Sequence, residues 1–146
     1  MTDQQYYAHN WLSRVWDEEI EIKQLVARRE EIIGSMSGIG KYDSKYIPTQ
    51  TGENGTESKN LEYSLISEQI DKKIRHVSYE NGRTLNVIDS VDNTMLRGML
   101  IARYLRRLTW AEVGQLYNYG KSQVYGKYRI DALDAVYQYI PREPIL

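Results

Sequence analysis

Residues 108–136, LTWAEVGQLYNYGKSQVYGKYRIDALDAV, hold two helix starts with a short turn between them. The first is Thr109-Trp110-Ala111-Glu112, a capping box. The Thr109 hydroxyl can accept from the Glu112 backbone N–H, and the Glu112 carboxylate can reach back to the Thr109 N–H. Val113 and Leu116 face inward on the helix that follows. Gly114 falls where two crossing helices approach closely, a position that requires a small residue. Asn118 is expected to end the helix because it tolerates a left-handed backbone, and Gly120 adds a second permissive position. Ser122 is expected to cap the next helix, which starts near Gln123 and buries Val124. Two capped helices joined by so few residues have the spacing of a helix-turn-helix, placed here at 109–136.

Upstream, Asp92 or Asn93 caps a helix to about residue 105, with Leu96, Met99, Leu100 and Tyr104 on its apolar side. Residues 61–76 read as another helix, with Tyr63, Ile66, Ile70, Ile74 and Val77 on one side and Asn81-Gly82 as its break; a short helix is expected over 85–90. Residues 34–60 contain five of the ten glycines together with Pro48, and periodicity is lost. That composition reads as a flexible linker. Residues 4–33 read as one long helix. Ala8, Val15, Ile22, Arg29 and Met36 recur every seven residues, and Trp11, Glu18, Leu25 and Ile32 fill the alternate seam. Glu18 and Arg29 interrupt the stripe, so packing within the chain is as good a reading as pairing with a partner. The expected architecture is all-α: a long N-terminal helix (1–33), a linker (34–60) and a C-terminal helical domain (61–146) with the helix-turn-helix.

Composition narrows the function classes. There is no Cys, which excludes disulfides and Cys-based zinc sites. The two histidines, His9 and His76, lie far apart, and no metal or cofactor is expected. Asp89 and Asp92, and Glu18, Glu19 and Glu21, cluster without a nucleophile, phosphate loop or metal spacing, so they read as solvated acids rather than an active site. No apolar run approaches the ~20 residues of a membrane span, and the polar start does not resemble a secretory signal. The expectation is a cytoplasmic chain with no membrane contact.

The net charge of -1 hides an asymmetry. Residues 97–129 hold seven basic residues and a single acid, Glu112. A local basic footprint of this kind suits phosphates. In a helix-turn-helix the second helix enters the major groove N-terminus first. The candidate DNA-contacting residues are therefore Lys121, Ser122, Gln123, Tyr125, Gly126, Lys127 and Arg129, with Arg106, Arg107 and Thr109 ahead of the first helix. Gln suits adenine, and Arg or Lys suits guanine or phosphate. The last helix carries a further stripe, Ile130, Leu133, Tyr137 and Ile140. It is expected to pack on helix 61–77, on the N-terminal helix, or on a second copy in a homodimer.

Arg103-Tyr104-Leu105, the run from Leu108 to Val113, Asn118-Tyr119, Ser122-Gln123-Val124-Tyr125 and Ala132-Leu133 together resemble the phage ArpU/RinA-like transcriptional regulators, which are similar in turn to region four of bacterial sigma factors. The resemblance covers mainly residues 92–136. It implies a regulator of phage or prophage late genes, acting on double-stranded promoter DNA and with host RNA polymerase as a further partner. The chain departs from the pattern at Gly114, at Gly120-Lys121 and at Gly126-Lys127. Two other readings stand beside it: a small terminase-like packaging protein, and an interaction module whose helix-turn-helix does not touch DNA.

Overall fold

The computed structural model describes residues 1–42 and 49–143. The described residues are helical, with no strand among them. In chain order they form α1 (Asp3–Leu12), α2 (Trp16–Tyr42), α3 (Thr49–Asp89), α4 (Thr94–Leu100) with a π-helical continuation (Ile101–Leu105), α5 (Trp110–Leu116), α6 (Lys121–Gln123), a π turn (Val124–Tyr128) and α7 (Arg129–Tyr137). A long N-terminal helix is present as α2, and the residues ahead of it form a helix of their own. Within the segment read as a linker, 34–42 close α2 and 49–60 open α3; residues 43–48 lie outside the described residues. No described helix is long and apolar enough to cross a membrane.

The chain divides into two compact units, Met1–Val15 with Tyr79–Leu146, and Trp16–Ser78. These boundaries differ from the 1–33, 34–60 and 61–146 division drawn from the sequence. In the Trp16–Ser78 unit, α2 meets the first part of α3 in antiparallel fashion. Ile32, Ile66 and Ile70 are buried, with Leu25, Val26 and Met36 packed against them. The charged interruptions of the α2 stripe find partners on α3. Glu18 lies 2.9 Å from His76, and Arg29 reaches Ser67 at 3.5 Å, a weak contact. Arg28 grips Glu62 through two bonds of 2.7 and 2.9 Å.

In the other unit the first helix ends at Ser13, whose hydroxyl donates to the His9 carbonyl at 2.7 Å. The continuous helix expected over 4–33 is therefore broken at 13–15. The physical cause is Arg14, whose side chain is only 3% exposed. Its guanidinium stacks 3.7 Å above the Trp11 ring. It donates to the Glu80 carboxylate at 2.7 and 3.0 Å, to the Glu80 carbonyl at 2.9 Å, to the Thr84 hydroxyl at 2.9 Å and to the Trp11 carbonyl at 2.8 Å. Arg83 bridges Glu80 and Glu143, and Glu143 also accepts from the Trp11 indole at 3.1 Å. A buried arginine must have its donors satisfied, and this arrangement satisfies them only if the chain turns after Leu12.

The same network explains why α3 passes straight through Asn81-Gly82, where the sequence predicts a break and a separate short helix at 85–90. A glycine inside a helix costs about 1 kcal/mol. Burial of Thr84, which belongs to the network, and of Ile88 one turn further on outweighs that cost. Asn93 then caps α4, its side chain accepting from the Leu96 N–H at 3.0 Å, as its position predicts. The terminal stripe is covered by α1. Leu133 and Ile140 are buried, Tyr137 meets Tyr7 edge-on at 6.0 Å, and Gln5 donates to Asp134 at 2.9 Å. Of the three partners expected for that stripe, the N-terminal helix is the one that packs on it.

Candidate nucleic-acid interface

The unit from Thr109 onward is built from local hydrogen bonds. The capping box forms as its sequence dictates: the Glu112 N–H donates to the Thr109 hydroxyl at 3.2 Å, and the Thr109 N–H donates to the Glu112 carboxylate at 3.0 Å. These bonds hold the Glu112 carboxyl below its ordinary pKa. After Leu116 the N–H groups of Tyr117 and Tyr119 both donate to the Gly114 carbonyl, at 3.1 and 2.9 Å. Asn118 takes φ 61°, the left-handed conformation expected of it. A Cβ on Gly114 would lie 2.5 Å from the Val124 Cγ2 and 3.0 Å from the Tyr119 carbonyl oxygen. Close approach of the two helices is thus the reason for glycine there.

Two expectations about the second helix are corrected. Gly120 has φ -70° and ψ 158°, an extended backbone open to other residues, so it is not a left-handed position. It is also the N-cap, in place of Ser122. The Val124 N–H donates to the Gly120 carbonyl at 3.1 Å. The Gln123 side chain reaches back to accept from the Gly120 N–H at 3.3 Å. The helix therefore starts at Lys121, and Ser122 lies in its first turn. α6, the π turn and α7 follow without interruption from Lys121 to Tyr137. A π turn inside an α-helix is uncommon and is frequently found at functional sites.

The predicted contact residues fall into three places. Lys121, Ser122, Gln123, Gly126 and Lys127 are exposed at the leading end of this helix. Tyr125 and Arg129 are half-buried. The Tyr125 ring has the Lys121 ammonium 5.9 Å from its centre and the Arg129 guanidinium 5.3 Å from it. The three form one ridge that runs from solvent inward. Arg106 and Thr109 are exposed on the approach to α5. Arg107 is half-buried with φ 67°, and it turns the chain out of the π-helical segment into the capping box. Behind the helix, Tyr119 stacks on Tyr128 at 4.4 Å and donates to the Met95 sulfur at 3.8 Å.

Sequence reasoning passed over His9, Arg103, Tyr104 and Trp110, which gather beside Tyr125 and Arg129. His9 comes from α1, more than ninety residues upstream, so no spacing could have placed it. Among the described residues no group of three side chains could hold a metal ion. The chain matches no family model, no curated protein and no solved structure.

Proposed function

We propose that this chain is a sequence-specific DNA-binding regulator of transcription that presents the helix starting at Lys121 to the major groove. The observation that carries the reading is the exposed leading turn. Lys121, Ser122 and Gln123 stand in solvent with Gly126 and Lys127 behind them, on a helix braced by α5 through the Gly114–Val124 approach. Lysines meet phosphates, and Gln123 is the side chain suited to a base edge once it leaves its cap. Gly126 has open space around it, which allows the backbone to approach the duplex. The ArpU/RinA-like resemblance of residues 92–136 adds a target: promoters of phage or prophage late genes in the cytoplasm of a bacterial host, with RNA polymerase as a second partner. A homodimer on two half-sites would make contact through a surface other than the α7 stripe.

Fluorescence anisotropy of the intact chain on a duplex selected from a random pool tests this. Affinity should fall with salt with a log–log slope of about -0.9 per phosphate neutralised. Lys121→Ala and Lys127→Ala should each weaken binding and flatten the slope by about one unit. Gln123→Ala should relax preference at one base position by about 1–3 kcal/mol. Affinity and slope unchanged in both lysine variants would remove the groove assignment.

A further inference from the structure

Behind the exposed face, the same helix helps to wall a cavity of about 280 Å³. Its polar lining is cationic or neutral: Arg103, Arg129 and His9 contribute, and no carboxylate among the described residues lines it. The Nε of Arg129 is buried with no hydrogen-bond partner among the described residues. That N–H is closed to solvent, so an anionic oxygen in the cavity would meet the Arg129 and Arg103 guanidiniums that line it, through charge-assisted bonds. The other walls are apolar and mostly aromatic, with Tyr6, Trp110, Tyr125 and Leu133 among them. His9 is held in place by a 2.8 Å hydrogen bond between its Nδ1 and the Tyr104 hydroxyl. Burial, and then the positive charges of Arg103 and Arg129, keep its pKa below the ordinary value. The cavity therefore has an excess of positive potential and planar apolar walls.

We infer that this cavity binds a small organic anion, a carboxylate or phosphate attached to a planar ring. The anionic head lies at Arg129 and Arg103, and the ring lies against Trp110 and Tyr125. The volume is close to the lower end of small-molecule sites, which limits the ligand to about one ring with its head group. Tyr125 and Arg129 belong to the ridge that ends at exposed Lys121, so an occupant touches the helix proposed for DNA from behind. The binding site itself does not rest on that proposal and is measured without DNA.

The test is a two-dimensional amide NMR titration of the intact chain with phenyl phosphate, benzoate, inorganic phosphate and benzyl alcohol. Phenyl phosphate or benzoate should give saturable shifts at His9, Arg103, Tyr125 and Arg129 with a Kd on the order of 1 mM or tighter. Inorganic phosphate and benzyl alcohol should bind at least about tenfold more weakly, because each lacks half of the ligand. Arg129→Gln should weaken the ring-bearing anion about tenfold or more, while Lys127→Gln, on the same helix but outside the cavity, should leave it within about twofold. A measurement on the unaltered chain covers the case in which Arg129→Gln misfolds. The bound anion should raise the His9 pKa against the pull of its neighbours Arg103 and Arg129, with Tyr6, Tyr104 and Tyr125 as the other titratable groups facing the cavity. Lack of saturation at about 20 mM, shifts confined to residues outside the cavity, equal affinity for inorganic phosphate, equal affinity in folded Arg129→Gln, or an unmoved His9 pKa would each overturn the inference.

Discussion

Replacing Gly114 by Ala isolates the contact on which the two-helix unit depends. In an ordinary helix interior this change stabilises by about 1 kcal/mol, because alanine is the better helix former. Here the new Cβ would lie 2.5 Å from the Val124 Cγ2 and 3.0 Å from the Tyr119 carbonyl oxygen. Val124 is fully buried, and a β-branched side chain in a helix has one strongly preferred rotamer, so it cannot swing aside. The Tyr119 carbonyl belongs to the tight turn and is equally constrained. Overpacking costs about 1–3 kcal/mol, and a contact this close to groups that cannot move falls in the upper part of that range, about 2–3 kcal/mol, which leaves a net loss of about 1–2 kcal/mol after the propensity gain. For a unit of this size that is a fall in Tm of about 4–8 °C per kcal/mol. Val124→Ala alone should cost about 2 kcal/mol through lost burial and the cavity left behind. In that background the Cγ2 is gone, and Gly114→Ala should cost less by about 1 kcal/mol or more. Urea denaturation of the four proteins followed by circular dichroism closes the cycle. The reasoning fails if Gly114→Ala matches or exceeds the unaltered chain in stability, or if its cost is the same with and without Val124.

Other consequences are independent of that contact. Arg14→Ala should destabilise by about 2–3 kcal/mol in chemical denaturation, because it leaves the buried Glu80 carboxylate with Arg83 as its remaining partner and frees Ser13–Val15 to continue the helix. Asn118→Gly should be neutral to slightly stabilising and Asn118→Ala should cost about 1 kcal/mol, since only the second must force a Cβ without a compensating side chain into φ 61°. Stability should fall on acidification in two stages. Burial, then Arg103 and Arg129, lower the His9 pKa in the folded chain, so its contribution is complete above its unfolded value of 6.5 and is lost as pH drops from there. Burial pushes Glu80 upward, but the hydrogen bonds from Arg14 and Arg83 outweigh it and leave its pKa below 4.5. Trp11 and Arg83 do the same for Glu143. These two contributions hold above about pH 4.5 and are lost as pH falls through the lower folded values. His9→Gln should remove the first stage and spare the second in urea midpoints measured against pH.

What was legible in the sequence is what neighbours along the chain decide. The Thr109–Glu112 box, the Asn93 cap and the left-handed Asn118 each involve groups within a few residues of one another, and each forms as its residue types predict. The narrow approach at Gly114 could also be read, because a helix pair joined by so short a turn has to cross near that position. The cap of the second helix was misplaced by two residues, since Gln123 reaching back to the Gly120 N–H is as local as a Ser122 cap and the choice between them depends on the turn geometry. Of the candidate DNA contacts, Lys121, Ser122 and Gln123 in the leading turn are exposed. Tyr125 and Arg129 could not be assigned to an inner wall from the sequence, because the residues that draw them inward, His9 and Tyr104 among them, come from other helices.

The sequence by itself determined that the chain is helical, where α4 and α5 begin, and that positive charge is concentrated in residues 97–129. Helix periodicity and capping are short-range properties, and charge is additive along the chain. Only tertiary structure decided that α1 breaks away from α2, that α3 runs through Gly82, and that α1 covers the final apolar stripe. The first two require Arg14, Trp11, Glu80 and Glu143 to meet across long sequence separations, and the third requires Gln5 and Tyr7 to meet Asp134 and Tyr137. The burial of a satisfied charge network there outweighs local preferences of about 1 kcal/mol.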